Sequence, residues 1–171
     1  MRPAFLLAFL LLASRLPATE PEKKPVAVVS IFIATDCPIA NSYAPEINRI
    51  WNDYSEKGIE IQLVYPDPEV TQVEVSQHVA EYSLKPATVI DRDHTLVKKA
   101  GVTTTPEVAV SDSAGKVIYR GRIDNLYADY GERRREVTER YLRDALDAIL
   151  NGTDPAVTKT GAIGCLIEIL P

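Results

Sequence analysis

One junction constrains this chain more than any other. The run Val26 to Ile33, VAVVSIFI, passes through Ala34, Thr35 and Asp36 straight into Cys37-Pro38. Such an apolar, β-branched stretch fits a strand buried on both faces. Proline is favoured at the first helical position, and Thr or Asp just ahead of it can cap a helix. Ile39, Tyr43, Ile47, Ile50, Trp51 and Tyr54 then recur at spacings of three and four. That is an amphipathic helix, with a kink expected at Pro45 and an end at Gly58.

The pattern continues. Ile59 to Tyr65 reads as a strand, residues 70–83 as a helix, Ala87 to Ile90 as a short strand, and His94 to Ala100 as a short helix closed by Gly101. Glu107 to Ser111 is a strand entered through Thr104-Thr105-Pro106. Asp112 to Gly115 is a turn, and Lys116 to Ile123 is the hairpin partner. Arg134 to Leu150 reads as a helix stopped by Asn151-Gly152. Helices alternate with strands early and a hairpin closes the order, which predicts an α/β fold with a central mixed β-sheet flanked by helices.

The first eighteen residues are different material. Arg2, the apolar run Phe5 to Ala13 and Leu16-Pro17-Ala18 follow the order of a signal peptide. The run is shorter than the roughly 20 residues of a membrane span. The expected organisation is a signal peptide at 1–18, a linker at 19–25, a folded domain at 26–150 and a C-terminal tail at 151–171. Export to a periplasmic or extracellular space follows, with membrane attachment only if the leader stays uncleaved.

A formal charge of −5 argues against nucleic acid, which needs clustered cations. Arg133-Arg134-Arg135, flanked by Glu132 and Glu136, reads as a solvated helix face. Two cysteines, Cys37 and Cys165, are too few to build a disulfide scaffold, and with 46% hydrophobic residues the chain has enough apolar material for a core without one. Chemistry is the better account of them. A helix start favours a thiolate, the reactive form, while the Asp36 carboxylate opposes it. His78 and His94 read as surface or capping residues, Asp91 and Asp93 as the bounds of a turn, and Glu107 as a rim carboxylate.

Phe32-Ile33-Ala34-Thr35-Asp36-Cys37 resembles the strand-to-helix turn of the thioredoxin-like superfamily. Thr104-Thr105-Pro106 resembles the superfamily's Thr-Pro segment, where the proline is usually cis and packs beside the nucleophile. Asp36-Cys37-Pro38-Ile39-Ala40-Asn41 and the Gly164-Cys165 tail resemble exported, peroxiredoxin-like redoxins of the AhpC/TSA group. The resemblance covers residues 25–150. It implies a thioredoxin-like fold with Cys37 as nucleophile. Cys165, in a tail able to fold back, is the candidate catalytic partner that resolves it, with a structural staple of the tail, a free thiol or pairing between molecules left open. Thr35, Pro38, Thr105 and Pro106 are the implied substrate-binding residues. It also implies a bacterial source, a disulfide- or peroxide-bearing substrate and an external thiol reductant, with no cofactor and no metal.

The chain departs from the family patterns in two places. Ala40 stands where thioredoxins carry their second cysteine. Ala34 and Thr104 stand where peroxiredoxins carry a threonine and an arginine, with Arg120 and Arg122 on the next strand. Two alternatives therefore stay open: a copper-binding protein using Cys37, Cys165 and a histidine, and a redox-inactive scaffold. Soft Cu(I) suits thiolates.

Overall fold

The computed structural model describes residues 24–168. The expected leader at 1–18, most of the linker at 19–25 and the last three residues of the tail lie outside the described residues. In chain order the elements are β1 (Ala27–Phe32), α1 (Pro38–Ser42), α2 (Ala44–Tyr54), β2 (Ile59–Tyr65), α3 (Gln72–Glu81), β3 (Ala87–Ile90) and α4 (Thr95–Ala100). There follow β4 (Thr104–Thr105), β5 (Glu107–Asp112), β6 (Val117–Gly121), β7 (Tyr127–Asp129), β8 (Glu132–Arg133), α5 (Tyr141–Leu150) and β9 (Cys165–Leu166).

A five-stranded sheet of order β3-β2-β1-β5-β6 organises them. β1 runs parallel to β2 and antiparallel to β5, so the sheet is mixed, as the element order predicts. β1 is the central strand, which is why its sequence is apolar on both faces. Ala27, Val29, Ile31 and Ile33 join the larger core with Ile39, Tyr43, Ile47 and Ile50 of the first helices and Leu142, Ala145 and Leu146 of α5. Phe32 points the other way and packs with Val64, Val97, Val102 and Ala109 in a smaller core that includes α4.

The kink expected at Pro45 is a full break. Proline cannot donate to the carbonyl four residues back, and α1 ends at Ser42 before α2 restarts at Ala44. α3 opens on a capping box in which the Thr71 side chain accepts from the Glu74 amide and Glu74 accepts from the Thr71 amide.

The expected helix at 134–150 starts seven residues late. Residues 127–133 form a small hairpin ahead of it, and the Asn125 side chain holds the stretch between hairpin and helix. Its Oδ1 accepts from the amides of Thr138 and Glu139 at 3.0 and 3.2 Å, and its Nδ2 donates to Thr138 Oγ1 at 2.7 Å. Those amides are thereby committed before a helix can use them. Arg133-Arg134-Arg135 is exposed as expected, but it lies in β8 and the segment after it rather than on a helix.

Ile31, at 0% exposure in the central strand, sets the scale of the core. Ile31→Ala is expected to cost about 2–5 kcal/mol, measured as a lowered midpoint in urea unfolding.

Candidate active site

Cys37 is the N-cap of α1, in extended conformation, with Pro38 as the first helical residue. Its side chain is 1% exposed. The Sγ donates to the carbonyl oxygen of Thr105 at 3.1 Å, and the Thr105-Pro106 peptide bond is cis. Thr105 and Pro106 are buried beside the sulfur, Thr35 is half-buried, and Asp36 and Pro38 are exposed. The four expected substrate-binding residues thus split into two pairs. Thr35 and Pro38 flank Cys37 in the chain, and Thr105 and Pro106 belong to the loop packed against it.

The tail supplies the second sulfur. Cys165 Sγ lies 2.7 Å from Cys37 Sγ, although 128 positions separate the two residues. β9 pairs antiparallel with β4, setting Cys165 opposite Thr105 and Leu166 opposite Thr104. The Ile167 amide extends the ladder by donating to Thr103 O at 2.9 Å. Gly164 makes the close approach possible, because a Cβ there would stand 1.9 Å from Thr105 O and 2.7 Å from its carbonyl carbon. Burial pushes the Cys165 thiol up to about 12, and the hydrogen bond to Cys37 and the charges of Cys37 and Asp36 add to the shift. In the docked tail Cys165 therefore holds its proton and donates it toward Cys37.

A second anchor fixes the tail farther back. Arg120 N donates to Thr158 O, and Thr160 N donates to Arg120 O, both at 3.0 Å. Thr160 Oγ1 accepts from Arg122 N at 2.9 Å and meets the Tyr119 hydroxyl at 3.1 Å. Gly121 has φ +147°, and a Cβ on it would stand 2.1 Å from Thr160 Oγ1, so only glycine leaves room for this rivet.

Three residues read as surface, capping or rim positions are buried, although His94 does stand at the N-cap position of α4. Glu107 Oε2 accepts from Thr103 N, Thr104 N and Thr104 Oγ1, at 2.8, 3.3 and 3.3 Å, and Arg120 Nε lies 3.5 Å from its Oε1. It braces the loop from within instead of lining a rim. His94 Nε2 sits 2.7 Å from Pro66 O. His78 Nε2 meets Asn41 Oδ1 and its Nδ1 meets the Tyr65 hydroxyl, both at 2.8 Å. Asn41 Nδ2 in turn donates to Thr35 O at 3.0 Å, which orients the amide. His78 thus donates through Nε2 and accepts through Nδ1. The relay Tyr65–His78–Asn41–Thr35 pins the turn that carries Cys37. Burial lowers the pKa of His78, with Glu81 opposing, so the neutral ring is favoured.

The histidine of the copper alternative is not delivered to the cysteines, since both ring nitrogens of His78 and the Nε2 of His94 are engaged elsewhere. Among the described residues, no group of three or more His, Cys, Asp or Glu side chains could hold a metal ion. The arginines on β6 and just after it are also committed. Arg120 reaches Glu107 and the Gly101 carbonyl, and Arg122 donates to Gly161 O at 2.6 Å.

Residues 16–131 match the Redoxin family model. The chain belongs to the Redoxin family. Among curated redoxin relatives, the thiol-disulfide oxidoreductase ResA of Bacillus thuringiensis is 31% identical over 112 residues, which is 66% of this chain and 59% of that protein. The chain therefore spans less than two thirds of the length of the curated relatives it matches. A hypothetical protein from Sinorhizobium meliloti superposes with a TM-score of 0.74 at 26% identity, covering 86% of this chain and 81% of that one. A putative thiol:disulfide interchange protein DsbE from Chlorobium tepidum superposes with a TM-score of 0.50 at 21% identity, covering 57% and 67%. The fold of this redoxin is the expected thioredoxin-like one.

Sequence reasoning missed Thr160, Asn41, His78 and the inward Glu107. Thr160 and His78 act through contacts distant in the chain, while Glu107 and Asn41 also bond near neighbours, Thr103, Thr104 and Thr35, that no periodicity marks. Gly164 had a local signal, a glycine directly ahead of a cysteine.

The His78 relay predicts a pH dependence. A histidine whose pKa is depressed on folding contributes stability above its ordinary value of 6.5, and that stability is lost as the pH falls through the lowered value. Urea midpoints are expected to fall as the pH drops below about 6.5, and His78→Gln is expected to flatten that part of the profile.

Proposed function

We propose that this redoxin is an exported thiol-disulfide oxidoreductase in which Cys37 is the nucleophile and Cys165 resolves it. The observation that carries the reading is the 2.7 Å approach of the two sulfurs, made by a tail strand paired to the Thr105-Pro106 loop. Likeness to ResA supports the reaction class.

The Cys37 thiolate attacks one sulfur of a substrate disulfide. A bond forms between Cys37 and that sulfur, and the other substrate sulfur leaves as a thiolate. Cys165 then attacks Cys37. The Cys37–Cys165 bond forms, the substrate departs as its second thiolate, and the proton of Cys165 passes to it. An external dithiol supplies the two electrons that reopen the bridge. Intramolecular placement accelerates the second step, because the resolving sulfur needs no diffusion. Thr35 and Pro38 border the approach to Cys37, and Thr105 and Pro106 shape the backbone beside it.

A disulfide substrate is favoured over a peroxide because the guanidinium groups of Arg120 and Arg122 are held by Glu107, Gly101 and Gly161. Residues 1–18 act as the export leader, so that the mature chain starts near Thr19, in a periplasmic or extracellular space where bridges persist.

The test is mass mapping of alkylated peptides after adding one equivalent of an oxidised dithiol. An intramolecular Cys37–Cys165 bridge that reductant reverses is the expected result. Cys37→Ser is expected to abolish turnover, whereas Cys165→Ser is expected to trap a mixed disulfide on Cys37. Recovery of Cys37 as a free thiol throughout would sink the reading. N-terminal sequencing of the exported form checks the leader.

A further inference from the structure

We propose that Gly164–Ile167 is an internal substrate strand. It caps the backbone edge Thr103–Thr105 over Cys37, and that edge takes, in trans, an extended peptide with glycine directly before its cysteine. This rests on the disulfide-exchange reading above and names the substrate class of the same site.

Main-chain contacts run along the cap, and the side chains of Cys165 and Ile167 pack against the two cores beside it. β9 lies on β4 in antiparallel register, and Ile167 N donates to Thr103 O. Leu166 points away at 81% exposure and contributes no side-chain anchor. An edge that recognises its occupant largely through backbone groups accepts varied chains able to lie flat on it, with an apolar residue favoured where Ile167 packs. One position limits that freedom. The residue before the cysteine passes Thr105 O so closely that a Cβ would stand 1.9 Å away, with Pro106 Cδ a further 3.1 Å neighbour. Its φ is not in the left-handed region, so the demand for glycine is one of clearance alone. Thr105 cannot retreat, because Cys37 holds its carbonyl and Glu107 braces Thr103 and Thr104 from behind. A peptide that places its cysteine sulfur where Cys165 now sits meets the same clearance, and it must first displace the cap.

The test uses the full chain with Cys165→Ser, in which the cap keeps its backbone pairing but cannot resolve. Two hexapeptides differing only in Gly-Cys against Ala-Cys are supplied as mixed disulfides with thionitrobenzoate. Attack by the Cys37 thiolate on the peptide sulfur joins the two and releases the chromophoric aryl thiolate. Gly-Cys is expected to react about tenfold faster than Ala-Cys, the penalty of forcing one methyl into a packed site. Adding Gly164→Ala is expected to lift the cap, raising both the Gly-Cys rate and the alkylation of Cys37 by iodoacetamide by about tenfold.

Equal rates for the two peptides overturn the glycine rule. Unchanged alkylation on Gly164→Ala overturns the cap. If alkylation rises but no peptide releases thionitrobenzoate, the exchange reading and the peptide role both fall and the cap alone stands.

Discussion

The carbonyl oxygen of Thr105 is where three parts of the chain meet. The Cys37 thiol donates to it, Gly164 slides past it without a side chain, and the cis bond to Pro106 follows it. A backbone carbonyl has two lone pairs and needs partners when buried. Here one partner is the Cys37 sulfur itself, so the position of Cys37 and the path of the tail are set by the same atom.

Two braces keep that atom in place. On one side Glu107 collects two amides and a hydroxyl from the preceding loop, and Arg120 sits against the same carboxylate. On the other side the relay from Tyr65 through His78 and Asn41 ends on Thr35 O. A satisfied polar network in a low-dielectric interior fixes a unique geometry more firmly than apolar packing does. The two braces approach the sulfur from different layers of the fold, one from the β4–β5 loop and one from α3.

Much of this was legible in the sequence wherever local pattern and burial agree. The run at Val26 to Ile33 became the central strand, Pro45 broke its helix, and Cys37-Pro38 opened a helix as its residue types dictate. The superfamily resemblance of Thr105-Pro106 pointed to the loop beside Cys37. The residues that failed were those whose roles lie in partners that no periodicity marks. Asn125 spends its side chain on Thr138 and Glu139, and no periodicity in Arg134 to Tyr141 reveals that. Glu107, His78 and His94 look solvent-facing by type, yet each is buried because a specific acceptor or donor meets it. The tail has no periodicity to read, and its short strand exists only because a second edge receives it.

The Thr160 rivet turns the end of the chain into a short leash. Cys165 is the fifth residue beyond it, and at about 3.3–3.6 Å per extended residue the sulfur can range only about 17 Å from the anchor. In the proposed exchange, that radius is the room Cys165 has to leave the loop for a guest strand and return, with the Thr160 anchor still in place. A thiol so confined acts at a local concentration far above any free thiol in its surroundings. Under the proposed mechanism the leash would keep the resolving thiol on hand while Cys37 is occupied.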